Sequence, residues 1–310
     1  MSEIDPVVEV RGVTRWFGAQ QVLRGVDLSV PRGSVTALLG RNAAGKSTLL
    51  SILSGHLGRN GGEATLFGRD VEAQRPSDRQ RIAIVGGASA FPSRRVRDEL
   101  ALVRRLRGAR WNAAREAELL ARFKLPLDAR IMALSKGQQA RLRLLLALGC
   151  DPELLLLDEP AMGLDLFARR DFLESVIELV EGEERTVLIA SHLIDDVERV
   201  ADRVVFMREG RTQIQGAVDD LRERFRRLRL RLPSPGQALP ADGLSAELLG
   251  VERALPAEGC EQVVILNDYT AGLVRELEAR TGGAEVSTSR LTLRDVYFEV
   301  LREADEAVEA

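Results

Sequence analysis

The sequence predicts an α/β protein: a core with an antiparallel β subdomain and an inserted helical subdomain, followed by a small α+β C-terminal domain. Three observations predict it. The stretch Gly40-Arg41-Asn42-Ala43-Ala44-Gly45-Lys46-Ser47-Thr48 separates the unbroken apolar run Val35 to Leu39 from a helical pattern over 47–53. Short apolar runs at 82–85, 154–157 and 186–190 have the length of strands buried on both faces. From about residue 227 the composition shifts, with Arg and Leu alternating to Leu232 and then Pro233, Pro235, Gly236 and Pro240. That shift places a boundary between domains 1–225 and 226–310.

In chain order, residues 7–10 and 22–30 alternate as strands joined by a turn near Gly18. Trp16 and Phe17 precede the turn. From the residues alone, core or turn packing outweighs the alternative, a ring that stacks on a purine base. Residues 40–48 then match the pattern G-x-x-x-x-G-K-[ST] in a strand-to-helix context, which implies that they bind a nucleoside triphosphate. Backbone N–H groups and the helix dipole converge there on phosphate oxygens. Lys46 reaches the β- and γ-phosphates, and the Ser47 hydroxyl gives one oxygen to Mg²⁺. His56, after the first helix, carries no functional reading.

A glycine-bounded strand follows at 61–68, and another at 82–85 ends in Gly86-Gly87. Residues 95–149 change to helical spacing, with Arg104, Arg105, Arg107, Arg110 and Arg115 between the leucines. This is the inserted helical subdomain, about 88–150. Its arginines read as a solvated face, ahead of a docking surface for an acidic partner. Leu134, Ser135, Lys136, Gly137 and Gln138 precede a helix over 139–148, whose backbone N–H groups form with Ser135 a second anion-accepting helix start, which alone reads as a cap. The strand at 153–157 ends in Asp158 and Glu159, where a carboxylate can hold the water shell of Mg²⁺ while its neighbour activates a nucleophile. The run 186–190 leads to Ser191-His192, which places His192 as a γ-phosphate donor.

A hairpin turning at Glu209-Gly210 and a polar helix at 217–226 close the core. In the C-terminal domain, 227–232, 263–266 and 284–287 read as strands, and 269–281 and 293–304 as helices. The arginines of 227–231 read first as charges that protect an edge strand, and second as contacts for lipid phosphates.

Composition narrows the function. A net charge of −3 gives no general attraction to nucleic acid, and 29% charged with 45% apolar residues is the balance of a globular chain. No apolar run approaches the ~20 residues of a membrane-spanning helix, and residues 1–6 lack an export signal, so the chain is expected to stay in the cytosol. Two cysteines and two histidines are too few for a disulfide framework or a four-ligand zinc site, so Cys150 and Cys260 read as structural.

The stretches 40–48, 134–138, 154–159, Gly163-Leu164-Asp165 and His192 stand in the order and spacing of an ABC-type ATPase. Across 7–225 the chain resembles the ATP-binding subunit of ABC transporters, a P-loop NTPase. Its end, 293–300, is similar to the last helix of subunits from bacterial drug, antibiotic and polysaccharide exporters. The resemblance implies that Phe17 stacks on adenine, reversing the reading above, and that Lys46, Ser47 and Thr48 hold phosphates and metal. It implies further that Asp158 holds the metal's water, Glu159 polarises the attacking water and His192 contacts the γ-phosphate. Ser135, Gly137 and Gln138 would cover the ATP bound to a second ATPase subunit, in a homodimer, and Asp165 would communicate between the two.

On this resemblance the chain is an ATP-hydrolysing motor at the cytoplasmic face of the membrane, driving a separate multi-span transmembrane subunit, with no nucleic acid as partner. Other classes stay open: a soluble ABC ATPase of a non-transport complex, a weakly hydrolysing regulator, and an importer subunit. Three departures stand out. Gly86 and Gly87 occupy the stretch where the family has a glutamine, and none occurs between Gln80 and Gln138. Ala43 replaces a glycine, which implies strain if its φ is positive. Lys136 replaces the first glycine of the usual signature, as is familiar in the exporter branch.

Overall fold

The computed structural model describes residues 6–86, 93–180, 185–232, 247–254, 260–267 and 269–306. The chain divides into two units, 1–215 and 216–310. The polar helix assigned from composition to the first domain therefore groups with the second.

In the first unit, strands β1 (Pro6–Phe17) and β2 (Gln20–Pro31) form a long hairpin, and β3 (Val35–Leu39) leads into helix α1 (Lys46–Leu53). Strands β4 (Gly61–Leu66) and β5 (Arg69–Asp70), the short helix α2 (Pro76–Arg79) and strand β6 (Ile82–Gly86) follow. Helices α3 (Val96–Arg107), α4 (Ala113–Phe123) and α5 (Lys136–Leu148) make the inserted helical part. The chain continues through β7 (Leu154–Asp158), α6 (Leu166–Val180), β8 (Thr186–Ser191), the short α7 (Ile194–Val197), β9 (Arg203–Arg208) and β10 (Arg211–Ala217).

Two sheets result. One is antiparallel, ordered β2-β1-β4-β5; the other is ordered β10-β9-β3-β8-β7-β6, with β9, β3, β8, β7 and β6 parallel. Leu154, Leu155, Leu156 and Leu157 are all buried because β7 lies inside the parallel sheet with both faces covered. Leu154 and Leu156 join Leu49, Ile52 and Leu53 of α1 and Val8, Val10 and Leu28 of the antiparallel sheet in one core. Each such leucine contributes about 1.5–3 kcal/mol by leaving water, and together they clamp α1 between the sheets. The start of α1 is thereby fixed where the parallel strands end.

Of the arginines read as a solvated face, Arg104, Arg105, Arg107 and Arg110 are exposed, and Arg115 is the exception. Arg115 is buried and pairs with Glu118 and Asp151, while Arg104 grips the buried Glu116. Arg107, by contrast, faces a groove described below.

The second unit holds α8 (Val218–Arg224), β11 (Arg226–Leu232), β12 (Glu247–Ala254), β13 (Cys260–Asn267), α9 (Ala271–Arg280), β14 (Glu285–Arg290) and α10 (Leu293–Glu306). Its sheet is antiparallel, ordered β12-β13-β11-β14. Leu228 and Leu230 turn to a core with Val264, Leu266, Leu273 and Leu277. The edge-strand reading of the 227–231 arginines is corrected: β11 pairs on both sides, and the edges are β12 and β14. β12 was not anticipated. Cys260 begins β13, and the linker-like 233–240 lies outside the described residues.

Candidate functional site

Parallel pairing builds the site. Register places Leu39 opposite Ser191, Asp158 opposite Ala190, and Gly86 opposite Asp158, so the ends of β3, β8, β7 and β6 share one sheet edge. In an open α/β sheet that edge is where ligands bind.

Residues 40–45 connect β3 to α1. Gly45 precedes the helix with φ 102, and a Cβ there would meet Leu23 Cδ2 at 2.6 Å, so only glycine fits. Ala43 does have positive φ, at 67, which answers the question its substitution raised. An L-residue in that region bears about 1–2 kcal/mol. The back of the loop is tied to the β9–β10 turn, where Gly210 N donates to Ala44 O at 3.1 Å and Arg24 N donates to Gly210 O at 2.7 Å. The sequence showed Gly210 only as a turn residue. Its role in bracing the loop depends on a non-local contact.

Lys46 is 6% exposed, and its ammonium donates to the carbonyls of Gly40 at 2.7 Å and Arg41 at 3.3 Å. Glu159 Oε1 lies 3.6 Å from the same nitrogen. Burial pushes the Lys46 pKa down, and the Glu159 carboxylate opposes that push by favouring the cation. Ser47 Oγ donates to Asp158 Oδ1 at 3.0 Å. Burial raises the Asp158 carboxyl, with the Ser47 hydrogen bond pulling the other way.

Glu159 leaves β7 with φ 46, and its N–H donates to Ala190 O at 3.0 Å. Its Oε2 lies 2.9 Å from His192 Nδ1. A carboxylate at Nδ1 favours the proton on that nitrogen and leaves Nε2 to accept, or to donate when the ring is protonated. Ser47 with Asp158 and Lys46 with Glu159 and His192 are two contact sets joined through the adjacent Asp158 and Glu159, so the five residues form one cluster drawn from two strand ends and one helix start.

The remaining residues singled out in the sequence lie apart from that cluster. Ser135 caps α5 in a reciprocal box with Gln138: Gln138 N donates to Ser135 Oγ at 3.2 Å, and Ser135 N donates to Gln138 Oε1 at 3.0 Å. The neighbouring Lys136 and Gly137 meet the 163–168 segment. A Cβ added at Gly163 would stand 3.2 Å from Lys136 Nζ, and one at Gly137 would stand 3.8 Å from Ala168 Cβ. Asp165 caps α6 by accepting from Ala168 N at 2.9 Å. Phe17 is 46% exposed and Trp16 44%, so the core reading of this pair is overturned. Gly86 ends β6 beside Asp158, while Gly87 lies outside the described residues.

A groove of about 730 Å³ opens between β6 and the helical insert. Ile84, Val103, Leu106 and Leu146 give it an apolar lining, Arg79, Arg107 and Arg143 add positive charge, and no Asp or Glu lines it among the described residues. Cys150 lies there, its thiol pKa raised by burial. His56 lines it too, hydrogen-bonded through Nδ1 to Ser54 Oγ at 2.8 Å.

The oxygens of Ser47 and Asp158 suit a hard divalent cation such as Mg²⁺, which takes few protein ligands and completes its shell with phosphate and water.

Comparison with known proteins shows the family. Residues 23–162 match the family model described as ABC transporter. The chain is 34% identical over 308 residues to the daunorubicin resistance ATP-binding protein DrrA3 of Streptomyces coeruleorubidus, covering 95% of each chain. It is 34% identical over 252 residues to the daunorubicin/doxorubicin resistance ATP-binding protein DrrA of Streptomyces peucetius, covering 79% of this chain and 76% of that one. Among solved structures, an ATP-binding subunit of an ABC transporter superposes with a TM-score of 0.62 at 27% identity, over 70% of this chain and 92% of the other.

Proposed function

The chain belongs to the ABC transporter ATP-binding family, which hydrolyses ATP, and from that membership we propose that it is the motor of an exporter whose transmembrane subunit is a separate polypeptide. The observation that carries the proposal is the cluster of Lys46, Ser47, Asp158, Glu159 and His192 at one sheet edge. In it, Lys46 exchanges its contacts with the Gly40 and Arg41 carbonyls for β- and γ-phosphate oxygens. The residues 40–48 cradle the phosphates through backbone N–H groups and the α1 dipole. Glu159 orients the attacking water and takes up its proton, and His192, held through Nδ1, faces the γ-phosphate with Nε2. Ser47 and Asp158 would hold Mg²⁺, Asp158 through water; the ion supplies charge neutralisation for the phosphates.

Ser135, Gly137 and Gln138 stand outside the cluster and present a capped helix start to the ATP of a second copy, with Asp165 between the two sites. Closure around ATP and release after hydrolysis make a ligand-biased two-state device. The transmembrane subunit would seat in the apolar and basic groove beside β6. No helix among the described residues is long and apolar enough to cross a membrane, which supports a peripheral place at the cytoplasmic face. The full-length match to a drug-resistance protein supports export, and the net charge of −3 supports no role for nucleic acid. Gly86, beside Asp158 at the end of β6, has no side chain to reach the metal's water shell, which supports slow turnover or altered coupling.

Steady-state phosphate release tests the assignment. Wild type should turn ATP over, while Glu159→Gln should bind ATP with similar affinity and release no phosphate above background. An active Glu159→Gln protein removes Glu159 from its role.

A further inference from the structure

The end of β1 carries an arrangement that the assigned roles leave unused. Arg15 stacks its guanidinium on Phe17, with Cζ 4.9 Å from the ring centroid. Its Nη1 donates to the Gly58 carbonyl at 2.9 Å, while Nε is buried with no hydrogen-bond partner among the described residues. The same 58–60 segment grips the strand on either side of Arg15. Asn60 N donates to Thr14 O at 2.9 Å, and Trp16 N donates to Asn60 Oδ1 at 2.7 Å. The pairing of β1 with β2 shifts register between Arg15 and Trp16, a local irregularity of the kind that re-aims side chains.

An exposed aromatic ring at a strand end rotates freely unless something packs on it, and a freely rotating ring loses entropy when a base stacks on it. Here one face of Phe17 is already covered by a cation anchored to backbone. Phe17 is nonetheless 46% exposed, so ring surface remains open to a ligand. We propose that Arg15 is a positioning residue for nucleotide binding: anchored on Gly58, it covers one face of Phe17 and fixes the ring so that a purine base stacks on the other. The inference rests on the base-stacking role of Phe17 and adds what orients the ring. Arg15 acts through Phe17 and need not touch the nucleotide. Its removal should therefore weaken only ligands that carry a base.

Calorimetric titration of the full chain with ATP and, separately, with tripolyphosphate tests this for wild type, Arg15→Ala, Phe17→Ala and the double variant. Arg15→Ala should raise the Kd for ATP about threefold to tenfold, the range of a cation–π contact, and leave that for tripolyphosphate unchanged. The double variant should bind ATP no more weakly than Phe17→Ala alone, because the guanidinium has no role without the ring. An unchanged Kd for ATP in Arg15→Ala, an equal loss for tripolyphosphate, or additive losses in the double variant would each overturn the proposal. An unchanged Kd in Phe17→Ala would instead show that the ring stacks on no base, and would remove the underlying reading along with this one. If Arg15→Ala fails to fold, Arg15→Gln keeps a donor for Gly58 without the cation, and the same outcomes decide.

Discussion

Gly210 offers the sharpest test of how the phosphate loop is braced, because it contacts no nucleotide-binding side chain. Its φ is +75, and a Cβ would stand 2.1 Å from Val22 O, 2.9 Å from Val22 C and 3.1 Å from Leu23 Cα, all backbone atoms with no flexible end to yield. Gly210→Ala must therefore push the turn off β2. The left-handed backbone costs about 1–2 kcal/mol. Losing the bonds from Arg24 N to Gly210 O and from Gly210 N to Ala44 O adds about 1 kcal/mol each. The sum is about 3–4 kcal/mol of stability. Gly68→Ala is the control, since Gly68 has φ +72 with nothing within 4 Å of an added Cβ, and should cost only the backbone term. Urea unfolding measures both. Titration with ATP should show Gly210→Ala alone weakened, by about tenfold for each 1.4 kcal/mol that reaches the loop. Equal stabilities in the two variants would refute the bracing argument.

Three further outcomes are expected. Ser135→Ala should cost about 1 kcal/mol by removing the cap of α5, whereas Ser135→Gly should cost a few tenths; both should abolish ATP-driven pairing, measured by light scattering. Glu116→Gln should destabilise by about 1.5–3 kcal/mol at neutral pH. Burial alone would raise the Glu116 pKa, but the hydrogen bonds from Arg104 and Trp111 outweigh it and hold it low. That stabilisation is present above the unfolded-state pKa and lost as pH falls through the lowered folded one, so the gap between the two proteins should begin to narrow as pH falls below the unfolded-state value of about 4.3. Ala43→Gly relieves about 1–2 kcal/mol of backbone strain against about 0.4–1 kcal/mol of added unfolded-state entropy. Stability in urea should rise by up to about 1.6 kcal/mol, and a fall would show that Ala43 is unstrained.

The phosphate loop was legible in the sequence because its pattern is local, a strand, nine residues and a helix. Asp158 and Glu159 were legible for a related reason, as acids closing a run of four leucines. What joins them was not. The contacts of Glu159 with Lys46 and His192, and of Gly210 with Ala44, span distant residues and arise only when parallel strands align. The same cause explains the error at β11, since alternating Arg and Leu shows that one face is buried but not which strands lie alongside. β12 was missed because Gly250, Glu252 and Arg253 interrupt any apolar alternation over 247–254. Phe17 shows the reverse case: residue type alone favoured the core, and only the order of motifs around it pointed to a ring left open.

The central claim is that one ATP is held by two copies of the chain, by Lys46 of one and Ser135 of the other. Light scattering of Glu159→Gln with ATP and Mg²⁺ tests it most directly, since blocked hydrolysis should trap the closed pair. The account predicts a mass of about twice the 34.1 kDa of one chain, falling back when ATP is removed or Ser135 is replaced. A protein that binds ATP yet remains at 34.1 kDa would contradict it.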